Sequence, residues 1–353
     1  MNSRRRFLAQ SAAALAGAYF AQSRAFAQSS SPYTYFDLHA HPGMFLAKGW
    51  TDGVDQAIAK TIKEMNEGGL TGAFFSMVAD APIIKGGDKG VVMTGNYKPG
   101  EAWKEYKRQV TILQDYIKSL PVTPALKASD LQTAQRDHKV AAYIGCEGGD
   151  FLEGKADRLD EMYIDGVRSI QIVHYHTNEI GNLQTEQAQH DGGLSAGGKE
   201  IIKKMNKLGM VIDVAHAAES TVKAVVDLTD SPIILSHTVL RIDDSRPLAR
   251  RAVTPEHAKL IAKNGGVIGA WPSGFSTSFD DFMDNIKRLT DIVGVDHMGL
   301  GTDLDGNFKP VMTSFLELPK WSDALKSKGF TEDEVKKITG GNAARVLNKV
   351  LKK

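Results

Sequence analysis

Short apolar runs rich in β-branched and aromatic residues recur along the chain, separated by stretches of helical periodicity. Eight such runs stand out, at residues 33–38, 72–78, 140–146, 167–173, 210–214, 233–235, 267–271 and 298–301. Most are apolar on both faces, as parallel strands covered on either side must be. The segments between them read as helices. Residues 54–67 are amphipathic and end at Gly68-Gly69, 103–120 stop before Pro121, and 195–208 stop at Gly209. Thr254 and Pro255 open a further helix as N-cap and first helical residue, and Gly265-Gly266 closes it. Thr331 and Glu334 have capping-box spacing for a late helix. Eight strand–helix units in one chain predict an α/β fold of the (β/α)8 TIM-barrel type. A doubly wound open sheet is the alternative, but no G-x-G-x-x-G or P-loop accompanies the strands to make it a nucleotide binder. Two long insertions, 79–101 after the second strand and 174–193 after the fourth, lie where barrels build the walls of active sites.

The N-terminal residues read differently. Residues 1–27 hold four arginines (Arg4, Arg5, Arg6 and Arg24) and no acid. A basic cluster before Phe7-Leu8, an alanine-rich run to Ala21 and Ala25-Phe26-Ala27 follow the three-part plan of a secretory signal. The arginines ahead of Phe7-Leu8 resemble a twin-arginine export signal. The expectation is a signal over 1–27 recognised by the export machinery and cleaved after Ala27, one barrel domain over 28–353, and a periplasmic location. With 42% apolar and 24% charged residues, the composition is that of a globular protein. A formal net charge of +1 gives no field for nucleic acid. The one cysteine, Cys146, leaves neither an internal disulfide framework nor a cysteine-rich zinc site.

The ends of the predicted strands carry the chemistry. The first ends Asp37-Leu38-His39-Ala40-His41, the third Cys146-Glu147-Gly148-Gly149, and the fourth at His174 with His176 nearby. The fifth ends Asp213-Val214-Ala215-His216, the sixth Ser236-His237 and the eighth Gly301-Thr302-Asp303-Leu304-Asp305. Six of eight strands thus bring a His, Glu or Asp to the rim that carries barrel active sites. Imidazole and carboxylate together suit Zn, Fe or Mn. His39 and His41, two apart, can share one ion. Asp37 and Asp213 are candidates to orient the histidines that follow them. His138, His190, His257 and His297 fall elsewhere and read as structural or solvated.

In order, His-x-His, Glu-Gly-Gly, His-x-x-x-Asn, Asp-x-Ala-His, Ser-His and Gly-x-Asp-x-Asp-Gly resemble the membrane (renal-type) dipeptidases, peptidase family M19, a branch of the amidohydrolase-type metallo-barrels. The closing Gly340-Gly341-Asn342-Ala343-Ala344-Arg345-Val346-Leu347 is similar to that family's C-terminal signature, so the likeness runs from about Phe36 to Leu351. It implies two divalent ions, most simply zinc, bridged by Glu147, with His39 on the first ion and His216 and His237 on the second. It further implies that His174 polarises the scissile carbonyl, that Asp303 is the catalytic acid/base, and that Arg251 grips the substrate carboxylate, with Arg250 as the alternative register. A homodimer is common in the family. The chain departs from the usual His-x-Asp by placing His41 at the second position, which keeps a ligand but exchanges a carboxylate for a neutral ring. The expected function is an exported zinc-dependent dipeptidase acting on small peptides, L,D-dipeptides among them. The alternatives are a related metallohydrolase of a lactone, cyclic amide or modified amino acid, and a binding protein that has kept the barrel without catalysis.

Overall fold

The computed structural model describes residues 31–42, 54–87 and 90–352; the expected signal at 1–27 lies outside the described residues. Residues Tyr33–Lys353 make one compact unit. Its strands are β1 (Tyr35–Ala40), β2 (Leu70–Val78), β3 (Ile84–Gly87), β4 (Gly90–Met93), β5 (Val122–Ala125), β6 (Val140–Glu147), β7 (Val167–Gln171), β8 (Val211–Asp213), β9 (Ile234–Thr238), β10 (Val267–Ala270) and β11 (Met298–Leu300). Eight of them pair in parallel in the ring β1-β2-β6-β7-β8-β9-β10-β11, and β11 returns to β1. This closed barrel contains all eight strands predicted from the apolar runs.

Helices α1 (Val54–Glu67), α2 (Glu101–Ser119), α3 (Ser129–Arg136), α4 (Arg158–Ile164), α5 (Ala196–Leu208), α6 (Glu219–Val226), α7 (Pro255–Lys263), α8 (Phe279–Val293), α9 (Leu318–Ser327), α10 (Glu332–Lys336) and α11 (Asn342–Val350) complete the unit. The boundary signals work as their chemistry requires. The Ser195 hydroxyl accepts from the amide of Gly198, that of Thr254 from the amide of His257, and Thr331 with Glu334 forms the reciprocal capping box. Among the described residues no helix is long and apolar enough to cross a membrane.

Two pieces escape the simple pattern. Strand β5, Val-Thr-Pro-Ala, pairs with the first half of β6 (Val122↔Val140 to Ala125↔Tyr143), while the second half of β6 pairs with β7. With four residues and a proline it offers no strand signature, yet an edge position tolerates that proline. The 79–101 insertion holds the antiparallel hairpin β3–β4.

The floor of the barrel is a separate apolar cluster. Phe36, Leu38, Phe74, Tyr143, Val211, Ile234 and Val267 pack with Ala343, Val346, Leu347 and Val350 of α11, so the last helix plugs the N-terminal mouth. The Gly340–Asn342 step makes this fit. A side chain at Gly340 would sit 2.4 Å from the Thr34 carbonyl oxygen, and Asn342 Nδ2 donates to the carbonyls of Val295 (2.7 Å) and Met298 (2.8 Å). The opposite mouth is left for the polar strand ends.

Candidate active site

Glu147 is the hub of this upper rim. The β2–β6 register runs unbroken from Gly72↔Ala141 to Val78↔Glu147, which sets the carboxylate level with the ends of its neighbours. Its Oε1 lies 3.3 Å from His39 Nε2, 3.3 Å from His174 Nε2, 3.4 Å from His216 Nε2 and 3.6 Å from His237 Nε2. Its Oε2 lies 3.2 Å from His41 Nε2. Burial opposes the charge, but the surrounding imidazoles, His174 and His39 foremost, outweigh it and hold the carboxyl well below its ordinary range.

Two donor groups share this hub: His39, His41, Glu147 and Asp303, and Glu147, His216 and His237, each with its ligand atoms within 4.8 Å of one another. All are buried. In the first, His39 and His41 bring their Nε2 atoms to 3.1 Å, and Asp303 Oδ1 stands 3.2 Å from His41 Nε2. His41 Nδ1 is 2.9 Å from the Ser76 carbonyl and so carries a proton, which turns Nε2 toward the carboxylates of Glu147 and Asp303. That arrangement calls for positive charge at this point, supplied by a bound cation or by a second ring proton. Burial disfavours a charge on His41, yet Asp303 and Glu147 raise its pKa to about 10, which expresses the same demand. In the second group His216 and His237 bring their Nε2 atoms to 3.1 Å. Burial, reinforced for His216 by Arg251 and for His237 by His39, keeps both pKa values well below the ordinary range, so both rings are neutral donors. Imidazole and carboxylate donors of this kind fit a divalent metal. The backbone is strained at the same places: His216 (φ 64°) and Asp303 (φ 54°) both lie in the left-handed region. Gly306 is needed beside them, because a Cβ there would meet the His41 ring at 2.7 Å.

The remaining predicted residues are gathered here too. His174 projects its Nε2 at Glu147, and its Nδ1 is 2.6 Å from Asp80 Oδ1. Asp80 Oδ2 accepts from the amides of Tyr175 (3.0 Å) and His176 (2.9 Å), so one buried carboxylate sets both ring and loop. Burial works against a charge on His174, but Asp80 and Glu147 prevail and raise its pKa. Of the two adjacent arginines, Arg251 is buried and Arg250 exposed. Arg251 Nη1 donates to Gln184 Oε1 (2.8 Å), its Nη2 is 3.4 Å from His237 Nε2, and its guanidinium lies 5.7 Å from the Trp271 ring centre. A cavity of about 100 Å³ opens over the cluster, with Gly86 and Val91 of the hairpin, Tyr175, Leu248, Trp271 and Phe308 as its largely apolar walls.

Two strand ends that carry no site residue in the sequence reading prove to be occupied. Asp80 follows β2, and Trp271 follows β10 and donates from Nε1 to Asp303 Oδ2 at 3.2 Å. Asp80 was hidden in what reads as an insertion, and a tryptophan ending an apolar run reads as core. Asp37 and Asp213 do not hold the imidazoles: Asp37 accepts from the amides of His39 and Thr302, and Asp213 from those of Ala215 and Ser236. The ring nitrogens of His39 and His237 face the Ser76 and Ser236 hydroxyls instead. His176 turns away, to Asp150 and Asn96. His138, His190, His257 and His297 lie outside the cluster.

A closed parallel barrel with such donors on its C-terminal rim defines a metal-dependent hydrolase of the amidohydrolase type. The chain belongs to the membrane dipeptidases, peptidase family M19, whose family model matches residues 30–352, and is a metallo-dipeptidase. Among curated proteins it is similar to dipeptidase verJ of Clonostachys rogersoniana, 25% identical over 323 residues, covering 87% of this chain and 81% of that one. Dipeptidase aclJ of Aspergillus oryzae is 26% identical over 298 residues, covering 77% of this chain and 69% of that one. Among solved structures, a metallopeptidase from Rhodobacter sphaeroides, determined with a phosphinate mimic of the dipeptide L-Ala-D-Ala, superposes with a TM-score of 0.76 at 18% identity. The match covers 91% of this chain and all of that one.

Proposed function

We propose that the protein is an exported dipeptidase that uses two zinc ions to hydrolyse the amide bond of dipeptides, L,D-dipeptides included. The observation that carries the reading is the pair of donor groups meeting at Glu147. His39, His41 and Glu147 would hold one ion, with Asp303 beside it as the acid/base, and Glu147, His216 and His237 would hold the other. Divalent ions held there supply Lewis acidity, lowering the pKa of water and polarising a carbonyl.

The protein's own groups account for the rest. His174, its pKa raised by Asp80 and Glu147 and its ring backed by Asp80, directs its Nε2 toward the position where the carbonyl oxygen gains negative charge. Asp303, fixed through Oδ2 by Trp271, turns Oδ1 inward to accept the proton of the attacking water. The C–O bond forms, the C–N bond breaks, and Asp303 returns the proton to the leaving amine. Arg251 binds the free carboxylate of the second residue, a grip that fits a dipeptide and holds longer chains out of register. The apolar walls exclude water from the reacting centre. L,D-dipeptides are supported by the L-Ala-D-Ala mimic bound in the R. sphaeroides relative. Periplasmic location is supported by the arginine cluster and the Ala25-Phe26-Ala27 cleavage site. The test is amino-acid release from L,L- and L,D-dipeptides by the zinc-loaded protein, alongside metal analysis. Metal-dependent release is expected; loss of release in the loaded protein overturns the reading.

A further inference from the structure

Arg251 is a buried cation held by neutral partners. Among the described residues no carboxylate lies within 4.0 Å of its guanidinium. Its Nε is buried without a hydrogen-bond partner, Nη2 faces His237 Nε2, and Nη1 donates to Gln184 Oε1 at 2.8 Å. Gln184 is itself fastened on two further sides. Its Nε2 donates to the Ala252 carbonyl (2.7 Å), next to Arg251, and its amide donates to the His216 carbonyl (2.7 Å). The Gln184 side chain therefore holds one edge of a guanidinium that Tyr175 also hydrogen-bonds, while the Gln184 backbone N–H ties this loop to the carbonyl of His216, a cluster histidine in the left-handed region.

The charge of this residue matters as much as its place. An amide oxygen orients a guanidinium and leaves its positive charge uncompensated, whereas a carboxylate at the same atom would form a buried ion pair and quench it. A buried cation with no carboxylate in contact, and only Glu147 and Asp303 acting on it at longer range, favours a ligand that brings one to it. We infer that Gln184 is a positioning and specificity residue: it aims Arg251 while keeping its charge available, and so makes a free C-terminal carboxylate the required feature of the substrate. The inference rests on the proposed role of Arg251 and adds the residue that creates the selectivity. Gln184 stands ten residues past His174 and nothing in its local sequence marks it.

The test compares the metal-loaded wild-type protein with Gln184→Glu and Gln184→Ala. Two readouts are taken. The first is calorimetric binding of a phosphinate dipeptide mimic with a free carboxylate and of the same compound as its C-terminal amide. The second is kcat and KM for an alanyl dipeptide and its amide. Wild type is expected to bind the acid at least about tenfold more tightly than the amide. Gln184→Glu is expected to weaken acid binding and raise KM by about 10- to 100-fold, with kcat within about threefold and amide binding unaffected, so that the preference disappears. Gln184→Ala is expected to lie between, losing aim but not charge. Thermal melting and metal content confirm that each variant is folded and loaded. Equal wild-type affinity for acid and amide, or an acid preference that survives in Gln184→Glu, overturns the inference. A parallel loss for both compounds also overturns it, by assigning Gln184 a general structural role. Selective binding of the acid without turnover of any dipeptide would support Gln184 and remove the dipeptidase reading instead.

Discussion

Replacing Asp80 by Asn tests whether the carbonyl-facing histidine works as a charged donor. Asp80 is wholly buried, and its two oxygens have separate tasks: Oδ1 faces His174 Nδ1 at 2.6 Å, and Oδ2 takes the amides of Tyr175 and His176. An asparagine must leave its oxygen with those two amides, so its NH2 group turns to Nδ1. Nδ1 then becomes an acceptor and His174 becomes a neutral ring with its proton on Nε2. The shape and the Nε2 donor survive, and the charge is lost. A hydrogen bond to a charged group contributes about 1.5–3 kcal/mol, so if the charge acts on the developing oxyanion, kcat falls by about 10- to 150-fold. KM and metal content stay close to wild type, because His174 meets the carbonyl most strongly in the transition state. The assay is steady-state dipeptide hydrolysis with the metal content measured on the same sample. A kcat within about twofold of wild type, with metals bound, would refute the charged-donor role.

Further outcomes follow from the same geometry. Asp303→Asn should lower kcat by about 10²- to 10⁴-fold with metal still bound, as removal of a general acid/base does; unchanged turnover in a proton-inventory and rate comparison would reject that role. Arg251→Ala should raise KM for free dipeptides by about 10- to 100-fold and hardly change it for dipeptide amides, measured as initial rates. His257 is buried in α7 and burial, with Arg251 nearby, lowers its pKa to about 4. The unfolded chain therefore takes up a proton below pH 6.5 that the folded one refuses, and stability is lost as pH falls from 6.5 toward 4, by up to about 3 kcal/mol. Urea unfolding of His257→Gln at pH 7 and pH 4 should show a correspondingly smaller acid loss; an identical loss would contradict this.

The sequence was most legible where one residue type has one physical meaning. Runs such as 72–78 and 140–146, apolar on both faces, are barrel strands, and Ser195, Thr254 and Thr331 cap the helices they precede. The cluster is legible because strand ends inherit the rim, so the sequence alone places Glu147, His216 and His237 on one face. What could not be read depends on which atom meets which. Asp80 sits in a stretch without periodicity, and only the closed β2–β6 register brings it beside His174. Asp37 and Asp213 precede their histidines by two or three residues, but a side chain that close along a strand end reaches backbone amides more readily than a ring. Gln184 needed the path of a whole loop. Strand β5 carries too few apolar residues for any pattern and exists because β6 offers it an edge.

The central claim, that donors meeting at Glu147 bind divalent metal and drive dipeptide hydrolysis, is tested most directly on the wild type in two states beside one variant. The protein is stripped with chelator, reloaded with zinc under elemental analysis, and compared with zinc-treated Asp303→Asn on a panel of L,L- and L,D-dipeptides. The account predicts about two ions per chain on reloading, amino-acid release that appears only in the reloaded wild type, and none in the variant. Two bound ions without release from any dipeptide would contradict it and turn the site toward a lactone, cyclic amide or modified amino acid.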